Sequence, residues 1–197
     1  MIQHPRILRT HLPCEAAPVQ PNAKYIYISR NPLDVAVSLY HDIMAVNEFD
    51  GRFDDFFDYF IHAQTDYNCY FKHHLGWHKL LENHVVLWIT YEELTTFPKD
   101  VIKRIGNYMG GDYQEAANDP IVMSEILHNC SFTAMKDHEN MLTKKTRDGH
   151  SLFRRGIIGD FKNFFTEEQI AQVREEFRRN FKGTLLENVW AKYKLPL

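Results

Sequence analysis

Three places in this chain carry residue types that could act on an anionic ligand. The first is Arg30 with Ser38. The run Lys24-Tyr25-Ile26-Tyr27-Ile28-Ser29 reads as a buried strand, and Asn31-Pro32 opens a helix directly after Arg30. Free N–H groups and the positive end of a helix attract anions at such a corner, and Ser38 follows two turns along. The second is Arg154-Arg155-Gly156-Ile157-Ile158-Gly159-Asp160. Two adjacent guanidinium forks beside glycine let cations and backbone approach a phosphate together. The third is His11, in Arg9-Thr10-His11-Leu12-Pro13. An imidazole in an extended, Pro-bounded segment can serve as a general base. Taken singly, each has an ordinary reading: an Arg capping a loop, a solvated turn, a surface histidine. His74 and His78, with His73 adjacent, have the i, i+4 spacing of a metal pair. The Glu of an H-E-x-x-H site and a third acidic ligand are both missing, so no metal site is expected and the pair reads as a water-facing helix face.

The elements that must position these residues follow from pattern. Pro5, Pro13, Pro18 and Pro21 keep residues 1–23 extended or turning. A helix is expected from Pro32 to about Val46. The spacing of Phe53, Phe56, Phe57, Phe60 and Ile61 predicts an amphipathic helix running from Phe53 to about Leu81. Residues 84–89 read as a second buried strand. Pro98 starts a helix that Gly110 and Gly111 end. Short helices are expected over 121–138 and a long basic loop over 139–160. Thr166 and Gln169 form a capping box for a helix with Ile170, Val173, Phe177 and Phe181 inward, closed by Gly183. Two strand-then-helix units argue for an α/β fold with a parallel sheet.

Composition narrows the function classes. The chain has 197 residues, and 23 Lys and Arg against 26 Asp and Glu give a net charge of −3. That argues against a general nucleic-acid binder, which carries a basic excess. Cys14, Cys69 and Cys130 are scattered and form neither a disulfide framework nor a C-x-x-C zinc or redox pair. They fit a reducing compartment, and with no run of ~20 apolar residues the expected location is cytoplasmic, away from membranes. The 14 Phe and 10 Tyr permit an aromatic ligand pocket.

Together, the stretches around His11, Arg30-Asn31-Pro32-Leu33-Asp34-Val35-Ala36-Val37-Ser38, Tyr91-Glu92-Glu93-Leu94 and Arg154-Arg155-Gly156-Ile157-Ile158-Gly159-Asp160-Phe161-Lys162-Asn163 resemble, in order and rough spacing, the cytosolic sulfotransferases. The resemblance implies a P-loop-NTPase-like three-layer α/β sandwich around a central parallel sheet, one domain over 1–197. It implies transfer of a sulfuryl group from 3′-phosphoadenosine 5′-phosphosulfate (PAPS) to a hydroxyl or amine of a small acceptor, for which the abundant aromatics permit a phenol- or steroid-like molecule, leaving the bisphosphate PAP, with no metal. It assigns His11 as the catalytic base. Arg30, Ser38, Arg154, Arg155 and Gly156 become ligands of the 3′-phosphate. Tyr91, Phe132 and Met135, with the flanking Cys130 and Ser131, belong around the adenine. Arg9, Arg155 and Cys130 stand where the family has Lys, Lys and Thr. The family's dimer motif survives only as Lys162 and Thr166, with Glu167 and Ala171 replacing its Val and Glu, so the resemblance allows a homodimer but degrades that mode.

The family opens with a strand and a Lys-Ser-Gly-Thr-Thr-Trp-like loop around the 5′-phosphosulfate. Neither is found here, so the expectation is an N-terminally truncated domain. The alternative is a catalytically impaired fragment or a non-catalytic module binding 3′-phosphoadenosine nucleotides. A nucleotide kinase of related architecture would need a Walker-type lysine loop, which the sequence lacks.

Overall fold

In a computed structural model, two short strands carry the site at their ends. The structure describes residues 6–46, 49–81, 86–139, 151 and 153–197. Strands β1 (Tyr25–Ser29) and β2 (Val86–Thr90) are parallel, in a register that pairs Tyr25 with Val86 and Ser29 with Thr90. The expected parallel α/β arrangement is present. Because the last pair is Ser29–Thr90, Arg30 and Tyr91 leave the sheet side by side at its C-terminal edge. That edge is where α/β sheets place ligands.

The period-2 pattern of β1 turns Tyr25 and Tyr27 inward, while Ile26 and Ile28 stay 38% and 56% exposed. Helix α1 (Pro32–Ala45) starts at the expected Asn31 cap, whose side chain accepts from the Asp34 N–H at 2.9 Å. The expected helix from Phe53 to Leu81 is instead two: α2 (Phe53–Ile61) and α3 (Tyr70–His78). Between them lies His62-Ala-Gln-Thr-Asp-Tyr-Asn-Cys69, where the apolar repeat lapses. Ala63 and Asn68 both take φ of 59° there, and left-handed residues break a helix.

The chain continues through α4 (Tyr91–Thr96), α5 (Pro98–Met109), α6 (Asp112–Asn118), α7 (Pro120–Asn129), α8 (Phe132–Asp137) and α9 (Glu167–Phe181). Helix α4 was not expected; Thr90 and Glu93 form its capping box directly at the end of β2. Gly110, at φ of 73°, ends α5, and Thr166 with Gln169 caps α9 as expected. Residues 82–85 and most of the loop expected over 139–160, namely 140–150 and 152, lie outside the described residues.

One core joins α1, α2, α3 and α9. Leu33, Ala36 and Val37 pack with Phe56, Phe57, Phe60, Phe71, Phe177, Phe181 and Trp190, all buried. Phe161, in the 3₁₀ turn Asp160–Asn163, belongs to the same cluster. The loop carrying Arg154 and Arg155 is thereby anchored to α1.

Candidate functional site

The corner after β1 is built from buried polar groups that satisfy one another. Asn31 donates through Nδ2 to Asp34 Oδ2 at 2.9 Å and to Glu92 Oε1 at 2.7 Å. Glu92, fully buried, also accepts the Asn31 backbone N–H at 3.0 Å and Trp190 Nε1–H at 2.8 Å. Asp34 accepts the backbone N–H groups of Gly159 at 2.7 Å and Phe161 at 3.0 Å. A buried carboxylate strands its charge unless donors meet it. Asp34 and Glu92 therefore pin four separated pieces of chain — the β1–α1 corner, the start of α4, the loop after Gly156 and the turn at Trp190 — to one point. The Tyr70 hydroxyl adds a further tie, donating to the Arg30 carbonyl at 2.5 Å.

Held in this frame, the Arg30 guanidinium lies over the Tyr91 ring, 4.3 Å from its centroid. Its Nη2 donates to Ile157 O at 2.9 Å and stands 3.9 Å from Asp34 Oδ2. Its Nε is buried with no hydrogen-bond partner among the described residues. Across the loop, Arg154 and Arg155 both pair with the buried Asp160, Arg155 at 3.0 Å. Burial pushes the Asp160 carboxyl up. Hydrogen bonds from Arg154 and Asn163 and the charges of both arginines outweigh it and hold the group below the usual carboxylate range. Arg30, Arg154 and Arg155 thus line one cavity, with Asp34 and Asp160 beside them and Asp42 also on its wall.

That cavity holds about 580 Å³, within the usual span of small-molecule sites. His11, Arg30, Ser38, Tyr91, Phe132, Met135, Arg154, Arg155 and Gly156 all line it, although His11 is about 19 residues before Arg30 and Arg154 more than 120 after. Gly156 takes φ of 64°, and a Cβ there would sit 2.4 Å from the Phe132 ring. The aromatic face therefore packs on bare backbone, as only glycine allows. Cys130 and Ser131 are not part of the lining. Cys130 is exposed at the end of α7, and Ser131 caps α8, its Oγ accepting the Ala134 N–H at 3.2 Å.

The helix bearing His73, His74 and His78 corrects one expectation. His74 is 5% exposed, among Tyr27, Tyr70, Trp88 and Phe181, rather than on a water-facing surface. Its Nδ1 meets the Tyr70 carbonyl at 2.9 Å, and burial pushes its pKa down to about 3. The shared spacing with Trp77, Phe71 and Tyr70 turns that face inward. Among the described residues no group of three His, Cys, Asp or Glu side chains could hold a metal ion, and no helix is long and apolar enough to cross a membrane.

Sequence reasoning missed Asp34, Glu92 and Asp160 as builders of the site. The first had a usable signal: Asn31 and Asp34 have capping-box spacing. The partners of Asp34 and Glu92, more than 60 positions away, had none.

The description "Sulfotransferase domain" belongs to the family model that matches residues 1–185. Mouse sulfotransferase 1B1 is 37% identical over 196 residues, covering 93% of this chain and 63% of that protein. Human sulfotransferase 1C2 is 31% identical over 194 residues, covering 91% and 63%. Among solved structures, mouse sulfotransferase SULT7A1 complexed with PAP superposes with a TM-score of 0.76 at 28% identity, over 86% of this chain and 62% of that one. Retinol dehydratase, in complex with androsterone and the inactive cofactor PAP, shares the fold with a TM-score of 0.77 at 23% identity, over 88% of this chain and 52% of that one. The chain spans about 63% of the length of the curated relatives it matches.

Proposed function

The chain belongs to the sulfotransferase family, and from that premise we propose that its cavity binds a 3′-phosphoadenosine nucleotide and serves sulfuryl transfer from PAPS to a hydroxyl or amine of a small acceptor. The observation that carries this reading is the convergence of Arg30, Ser38, Arg154 and Arg155 on one cavity that His11 also lines. The residues suit the ligand chemically. An orphaned Arg30 Nε–H, on a cavity that the guanidiniums of Arg154 and Arg155 also line, asks for an anion, and charge-assisted bonds to phosphate are the strong kind. Tyr91, Phe132 and Met135 offer faces for a purine.

When bound, PAPS supplies the sulfuryl group, and PAP is the product that leaves. The chain's own share is to hold and to deprotonate. Arg30, Arg154, Arg155 and the Ser38 hydroxyl hold the 3′-phosphate. Gly156 keeps Phe132 flat against the backbone for the base. The His11 imidazole, in its neutral form, takes the acceptor's proton as the acceptor oxygen or nitrogen attacks sulfur. Phe60, Tyr67 and Tyr70, on the same cavity, favour a phenolic or steroid-like acceptor.

The test is PAPS-dependent sulfation of a phenol and steroid panel by the full chain and by His11→Ala. Transfer that His11→Ala abolishes is the expected result; equal turnover by both removes His11 from the mechanism. Binding of PAP with no transfer to any acceptor would assign the non-catalytic nucleotide-binding module instead.

A further inference from the structure

We propose that His73 is the positioning residue of the His11 segment, its imidazole fixed by Tyr27 and in turn fixing the backbone that carries the candidate base. This rests on the role of His11 proposed above. Residues 6–13 form no helix or strand and are exposed, so something outside them must set where His11 lies. Helix α3 does so with two N–H donors one turn apart. His73 Nε2 is 3.2 Å from the His11 carbonyl, and Trp77 Nε1–H donates to the Leu12 carbonyl at 3.2 Å. Positions i and i+4 share a helix face, so two successive residues of the segment are held by one face of α3.

The tautomer follows from the partners. A carbonyl only accepts, so the proton of the His73 ring is on Nε2, and Nδ1 is left as an acceptor. The Tyr27 hydroxyl, 2.8 Å from Nδ1, is then the donor. Tyr27 is itself fixed by the sheet register opposite Trp88. The path runs from strand to phenol to imidazole to the backbone of His11. Both groups are kept in the required states. Burial lowers the His73 pKa; the hydrogen bonds to His11 and Leu12 and the charge of Glu15 oppose this, and His11 reinforces it. Burial pushes the Tyr27 hydroxyl up, which keeps it a donor. The His74 ring also packs edge-on against Tyr27, and burial pushes its pKa down to about 3; burial likewise raises the hydroxyl of Tyr70. A protonated His73 ring would put an N–H at both nitrogens, and Tyr27 could no longer donate to it.

Long-range ¹⁵N–¹H correlation of the intact chain at neutral pH reads the ring directly. The expected result is the Nε2–H tautomer for His73; an Nδ1–H tautomer or a doubly protonated ring overturns the proposal. His73→Leu removes both bonds, and His73→Gln restores a donor and an acceptor. Tryptic cleavage after Arg9 in the native chain is expected to quicken about fivefold in His73→Leu, the worth of one neutral hydrogen bond, and to return towards the original rate in His73→Gln. Unchanged cleavage in His73→Leu overturns it. If His73→Leu does not fold, Tyr27→Phe deletes the donor to Nδ1 while the Nε2–H bond to the His11 carbonyl stays. Cleavage after Arg9 should then quicken because the ring is free to turn, and unchanged cleavage in Tyr27→Phe overturns the path through Tyr27. Where transfer is measurable, kcat should fall in His73→Leu with PAP affinity unchanged. Failure of transfer in every variant would count against the His11 reading, while tautomer and cleavage still decide the role of His73.

Discussion

Acidification should destabilise the chain through His74 by an amount the structure sets. The ring is enclosed, with the Tyr70 ring centroid 4.0 Å away, and its pKa is pushed down to about 3 by burial. In the unfolded chain the same group titrates near ~6.5. The folded value lies below the unfolded one, so the unfolded state binds more protons as pH falls. His74 therefore costs nothing above ~6.5, and stability is lost progressively from there down towards pH 3. At pH 5 the unfolded histidine is almost wholly protonated and the folded one is not, a difference of about 2 kcal/mol; below pH 3 it reaches about 5 kcal/mol. His73 acts in the same direction. The carboxyls held low, Asp160 and Glu93, lose their contribution only at more acid pH. Guanidinium unfolding at pH 7 and pH 5 on the original chain and on His74→Leu isolates the effect, because every other histidine is common to both. The original chain should lose about 2 kcal/mol more than the variant between the two pH values. Equal losses would refute the burial of His74.

Asn31→Ala removes an N-cap and takes donors from both Asp34 and Glu92, so chemical denaturation should show a loss of about 3 kcal/mol. A loss under ~1 kcal/mol would mean that water replaces the network. Trp190→Phe keeps the packing but leaves Glu92 Oε2 without its 2.8 Å donor; it should cost about 1–3 kcal/mol, measured the same way. Gly156→Ala forces a side chain into φ of 64° and against the Phe132 ring at 2.4 Å. Calorimetry should show PAP binding weakened about tenfold, as expected for strain of 1–2 kcal/mol at the site, and unaltered affinity would separate the Gly156–Phe132 contact from the ligand.

Much of the fold was legible because local rules set it. Asn31-Pro32, Pro98 with Gly110, and Thr166 with Gln169 are start and stop signals read within four or so residues, and the structure keeps each. The break between α2 and α3 was harder. Aromatics on both sides share a helical spacing, and the interruption is confined to residues 62–69, where the apolar repeat lapses and Ala63 and Asn68 turn left-handed. The inward turn of His74 was hidden for a related reason: three neighbouring histidines look polar, and what buries His74 is the distant Trp88, Phe181 and Trp190. In the site, the residues of the resemblance stretches were visible one by one. The ties that assemble them, Asp34 to Gly159 and Phe161 and Glu92 to Asn31 and Trp190, span 61 to 127 positions and carry no periodic signal.

On the reading proposed above, the arginines of this cavity recognise a 3′-phosphate. Calorimetric titration of the full chain with PAP and with adenosine 5′-monophosphate, repeated on Arg30→Ala, tests it most directly. PAP should bind at least tenfold more tightly than the monophosphate, and Arg30→Ala should remove most of that advantage, since each charge-assisted bond contributes about 1.5–3 kcal/mol. Equal affinity for the two nucleotides, or a preference for PAP that survives the loss of Arg30, would contradict that reading.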